Sequence, residues 1–73
     1  MSIDRLIGQQ VRKLRKARNM TLEQVSVRAG ISLTHLGALE RSEKEWKVRR
    51  LSSVAAALGV TPGAILDLAT EEN

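Results

Sequence analysis

Ser32, His35 and Glu40 are the first residues to suggest chemistry, since a hydroxyl, an imidazole and a carboxylate are the parts of a nucleophilic triad. Their spacing dismisses the idea. All three would ride one short helix, whose steps of about 100° scatter the side chains around the axis instead of converging them on one atom. A lone histidine in a chain without cysteine also cannot build a transition-metal site, and His35 is most simply a helix-surface residue. There is no glycine-rich phosphate loop and no paired acid site, so neither an enzyme nor a cofactor is expected. What the sequence offers instead is positive charge: 12 Lys and Arg against 8 Asp and Glu give +4 at pH 7. Residues 1–30 carry +5, residues 31–60 carry +2 and residues 61–73 carry −3. One part of the molecule therefore attracts polyanions while the C-terminal part faces elsewhere. Trp46 is the sole aromatic residue, which removes the stacking platforms of single-stranded nucleic-acid binders and RRM-type RNA readers. Duplex DNA or a protein partner is left.

These residues need a scaffold, and 73 residues allow one small domain across 1–73. Without cysteine its stability must come from helix packing or from a partner chain. No apolar run approaches a membrane span, Met1 does not open a signal peptide, and a cytoplasmic protein is expected. Ile3, Ile7, Val11 and Leu14 recur at helical spacing, which predicts a first helix over about 3–18 with Arg12, Lys13, Arg15, Lys16 and Arg18 around the apolar stripe. Thr21 and Gln24 read as a capping box opening a second helix from Leu22 to Ala29. Gly30 and then Ser32 give a left-handed exit followed by a new cap, so a third helix starts at Leu33 after a tight turn and runs to about Arg41. Leu36 and Leu39 point inward there, leaving Thr34, His35, Gly37 and Ala38 on other faces. A glycine at position 37 costs about 1 kcal/mol in an exposed helix, which invites a reason such as close approach of another surface. Residues 42–47 read as a loop, Val48 to Leu58 as a fourth helix ended by Gly59, and Thr61–Pro62 open a fifth helix through about Leu68. The last residues, about 69–73, are expected to fray as a polar tail.

This all-α, five-helix pattern carries a resemblance. Leu14–Arg15, Thr21 with its cap, the run Ala29, Gly30, Ile31, Ser32, the run Leu39, Glu40, Arg41 and the run Ala57, Leu58, Gly59, Val60 together resemble the XRE or Cro/C1-type (lambda repressor-like) helix-turn-helix family. The likeness extends from about Ile7 to Leu66. Residues 35–41 are similar to those of the small controller proteins of restriction-modification systems, which are stand-alone regulators. The resemblance implies a sequence-specific regulator of transcription that lays its third helix in the major groove of duplex DNA. It places Ser32, Leu33, Thr34, His35, Gly37 and Ala38 toward base edges. It places Thr21 and Arg41 on phosphates, with Arg28, Lys44, Lys47, Arg49 and Arg50 as further phosphate contacts. Arg15 and Glu40 match positions that form an ion pair linking the first helix to the third; the alternative is two ordinary surface charges.

The chain also departs from the family. Leu33 and Ala38 cannot hydrogen-bond to a base, so direct readout must be weak or different, with contact to thymine methyls and reading of DNA shape taking a larger share. Leu22 replaces a common Gln and loses a phosphate contact. Ser42 stands where Gly usually ends the third helix, which predicts strain or a different cap. Trp46 stands where Pro or a polar residue is common; it is a roof over the core, a dimer anchor or a DNA-backbone contact. A single small reader touches few base pairs, so a homodimer on a two-fold symmetric site is expected, joined through Ala64, Ile65, Leu66 and Leu68 of the fifth helix. Either Ile65 or Leu66 would instead close the core of the protomer. RNA polymerase or another protein is a further partner such a regulator would meet. The rival reading is a protein-interaction module with the same fold that uses the apolar face of Leu33, Gly37 and Ala38.

Overall fold

Hydroxyl groups start four of the helices. Ser2 Oγ accepts the Arg5 N–H at 3.2 Å, Ser32 Oγ accepts the His35 N–H at 3.1 Å, and Thr61 Oγ1 accepts the Ala64 N–H at 3.0 Å. Thr21 and Gln24 form the expected capping box, with bonds of 3.1 and 2.8 Å in the two directions. Each of these bonds satisfies an N–H that the helix itself leaves without an acceptor. The resulting elements in the computed structural model, which describes residues 2–71, are α1 (Ile3–Ala17), α2 (Leu22–Ala29), α3 (Leu33–Glu40), α4 (Val48–Leu58) and α5 (Pro62–Glu71), with no strand among the described residues. No single helix among them is long and apolar enough to cross a membrane.

The first four helices end by the same device, a left-handed residue followed by a reversal of the chain, at Asn19, Gly30, Ser42 and Gly59. At Ser42, with φ of 64°, the Ser42 N–H bonds the Leu39 carbonyl at 3.2 Å and the Glu43 N–H bonds the Ala38 carbonyl at 2.8 Å. The expected strain is thus real: an L side chain occupies a conformation that glycine adopts freely.

α1 packs on α5, α3 and α4, while α2 packs on α4 and α3. Val11, Val25, Leu36, Leu39, Val54 and Ile65 fill the centre with essentially no exposure. Two long-range features close the structure. Gly8 lets α1 approach the end of α3, since a Cβ there would stand 2.8 Å from both the Leu39 and Glu40 carbonyl oxygens. Trp46 is buried as a roof: its indole N–H donates to the Leu39 carbonyl at 3.1 Å and its backbone N–H donates to Asp4 Oδ1 at 2.7 Å. Neither a DNA-backbone contact nor a dimer anchor is open to a side chain held that way.

The expectation for the C-terminal end needs correction. α5 runs to Glu71, and Ala69, assigned to the fraying tail, is fully buried in the core. Its small apolar side chain repeats the spacing of Ile65 one turn on, which a local reading took for a polar ending. Glu72 and Asn73 lie outside the described residues.

Candidate nucleic-acid interface

Helices α2 and α3, joined by Gly30, Ile31 and Ser32, present the first turn of α3 to solvent. Ser32 and Thr34 are exposed, Leu33 is 43 % exposed and His35 is half-buried. Gly37 and Ala38 must be withdrawn from the base-facing set, because both are buried. Ala38 sits under the reversal at Ser42, where the chain doubles back onto the Ala38 carbonyl. Gly37 is covered by neighbouring side chains, for a Cβ there would meet the Arg41 guanidinium at 3.0 Å and the Leu22 side chain at 3.6 Å. That is the close approach its helix penalty called for.

The orientation of α3 is held from below. Arg15 Nε donates to Glu40 Oε2 at 2.8 Å and its NH2 to Glu40 Oε1 at 3.1 Å, a two-pronged pair with the side chains only 14 % and 7 % exposed. The third nitrogen, NH1, donates to the Met20 carbonyl at 3.1 Å, so the same guanidinium also ties the turn before α2. Hydrogen bonding to Glu40 raises Arg15 above its already high pKa against the opposing effect of burial, and it stays charged. Surface charges of the ordinary kind are therefore not what this pair is.

Polar and cationic residues are exposed on α2 and beside α3. Thr21 and Arg28 are exposed at the two ends of α2. His35, Lys44, Glu45, Lys47, Arg49 and Arg50 line a shallow cavity of about 390 Å³ between α3 and the start of α4. α4 has Lys47 as its N-cap residue, with no side-chain cap and no acidic residue in its first turn, so the positive end of that helix adds to the charge of Lys47, Arg49 and Arg50. Arg41 is exposed after α3 but is not free: its Nε and NH2 donate to Glu43 at 2.8 and 3.2 Å. The Arg41 hydrogen bonds hold the Glu43 carboxyl below the usual carboxylate range. Among the residues named for the dimer, Ile65 is fully buried and belongs to the protomer core, Ala64 is half-buried, and Leu66 and Leu68 are each 37 % exposed.

Four contributors escaped the sequence reading. Gly8 carried a signal, a glycine inside a helical stripe, of the same kind as that at position 37. Asp4 and Glu43 carried none, since their partners are set by the tertiary path of the loop between α3 and α4. Gln10 is buried with its side-chain Nε2 lacking a hydrogen-bond partner, an arrangement that a polar residue on α1 does not advertise.

Comparison with known proteins agrees with this architecture. A helix-turn-helix family model matches residues 11–65. The chain is 36 % identical over 61 residues to an uncharacterised HTH-type transcriptional regulator, y4dJ, of Sinorhizobium fredii, covering 84 % of this chain and 79 % of that one. It is 30 % identical over 69 residues to the control protein C.BamHI of Bacillus amyloliquefaciens, covering 93 % and 85 %. The structure of the clp gene regulator ClgR of Corynebacterium glutamicum superposes with a TM-score of 0.93 at 28 % identity, over 99 % of this chain and 94 % of that one. With an exposed α3 turn beside a cationic cavity, the charged tie beneath it and these matches, the chain belongs to the XRE-type helix-turn-helix family of transcriptional regulators, whose fold is a DNA-binding one.

Proposed function

We propose that the protein is a sequence-specific regulator that binds duplex DNA as a homodimer, each protomer setting the first turn of α3 into the major groove of a two-fold symmetric operator. The observation that carries this reading is the exposed turn of Ser32, Leu33 and Thr34, next to which His35 shares a cavity with Lys44, Lys47, Arg49 and Arg50. Ser32, Thr34 and His35 each offer a polar atom to a base edge, and Leu33 with the Thr34 methyl suits thymine methyls. Thr21, Arg28, Arg41, Lys44, Lys47, Arg49 and Arg50 hold phosphates, and the uncapped, acid-free start of α4 favours an anion for the same reason.

Dimerisation follows from reach. The protomer is 29 Å in its longest dimension, whereas equivalent groove faces of B-DNA recur about 34 Å apart, so one copy reads one face. Leu66 and Leu68 leave apolar surface on α5, which packs on α1 and α4, for the second copy. Selection of bound duplexes from a random pool, with footprints recorded, tests partner, specificity and symmetry together. The expected result is a symmetric site whose affinity falls steeply and log-linearly as salt rises from about 50 to 200 mM. Absence of duplex affinity at about 50 mM salt would overturn the reading in favour of an interaction module built on the Leu33 face.

A further inference from the structure

We propose that Glu43 competes for the Arg41 guanidinium with the phosphate assigned to it, a carboxylate that lowers this protein's affinity for every duplex by the same factor. The inference rests on the DNA-binding reading above and adds a residue that works against it. Arg41 presents two nitrogens in parallel to one carboxylate, Nε to Oε2 at 2.8 Å and NH2 to Oε1 at 3.2 Å. That fork is the geometry in which a guanidinium also grips a phosphate. Both side chains are more than half exposed, so the pair stands where a DNA backbone can reach it.

The juxtaposition is built by the fold. Residues two apart on a regular helix do not face each other, and here they meet because the left-handed Ser42 reverses the chain and the Glu43 N–H is pinned to the Ala38 carbonyl. On its other side the guanidinium lies against Gly37 of α3, where a Cβ would stand 3.0 Å from NH1. Arg41 is thus parked beside the recognition turn with its fork already occupied. To take a phosphate by that fork it must release Glu43, whose negative charge then stands near the incoming one. The exchange involves no base, so its cost is the same on every sequence. Affinity falls throughout while preference among sites is untouched.

The test compares Glu43→Gln with Glu45→Gln, a matched charge change in the same loop, in the full chain and again in an Arg41→Ala background. Thermal melts verify that each variant is folded. Glu43→Gln is expected to bind a selected duplex and a scrambled one about two- to fivefold more tightly, with an unchanged ratio between them. The logarithmic salt slope is expected to steepen by up to about one unit. The gain disappears when Arg41 is alanine, whereas any smaller gain from Glu45→Gln persists. Equal effects of the two glutamine variants in both backgrounds overturn the inference, as does weaker binding by Glu43→Gln, which would make Glu43 an orienting group. Failure of the unmodified protein to bind any duplex overturns the functional reading and this inference with it; binding without an Arg41-dependent gain overturns this inference alone.

Discussion

Ser42 holds a backbone conformation that its side chain disfavours, and it does so at the point where α3 is closed and the chain turned back. Replacing it by glycine relieves the strain but adds freedom to the unfolded chain, so Ser42→Gly is expected to stabilise by about 0.5–1 kcal/mol. A thermal melt should rise by about 2–8 °C. At the same scale, the proposed base readers and phosphate holders are separable by experiment. Thr34→Ala should change the ranking of operator variants in a competition assay, while Arg41→Ala should weaken all of them alike. Uniform loss from both would dissolve the distinction. The residue types behind these assignments were legible beforehand, because an N-cap serine, a threonine two residues later and an arginine after the helix are local features. Gly37 and Ala38 were set toward base edges by the resemblance and left off the inward face by the helical wheel, and neither contains the Arg41 side chain and the reversed chain that cover them.

Among elements, the crossing of α1 over the end of α3 fixes how α3 sits on the core, and two contacts serve it. Gly8 permits the approach, and Arg15 fastens it to Glu40 and to the Met20 carbonyl. Gly8→Ala pushes a methyl group against two backbone carbonyls that cannot swing aside as a side chain would. It should cost about 1–3 kcal/mol, read as a lower melting temperature. Glu40→Gln leaves a largely buried guanidinium without its countercharge and should cost up to about 3–5 kcal/mol, with duplex affinity falling in parallel. An unchanged melting temperature would show that the pair does not orient α3. The pairing of Arg15 with Glu40 was anticipated only through family resemblance, since 25 residues separate the partners and no local pattern joins them.

For the molecule as a whole, the polarity of charge and the position of α5 set the expected assembly. Net +5 in residues 1–30 and +2 in residues 31–60, which together hold every proposed DNA contact, oppose −3 in residues 61–73. Leu66→Glu, on an exposed flank of α5, should leave the fold intact and yield a monomer in sedimentation. That monomer should lose most of its affinity for the symmetric site while retaining weak binding to a half-site. Persistence of the dimer would move the interface to another face.

By itself the chain determined its helices, their starts and their turns, because capping, left-handed exits and apolar periodicity are interactions among residues within about one helical turn of each other. It determined equally that positive charge dominates outside the C-terminal end. Only the tertiary structure decided that Trp46 closes the core through Asp4 and Leu39, that Ala69 and Ile65 are interior, and that Arg41 meets Glu43 beside Gly37. The physical reason is common to all of these. Burial and ion pairing depend on which surfaces are brought together when helices pack, and the period of a single helix says which side is apolar but not what will cover the others.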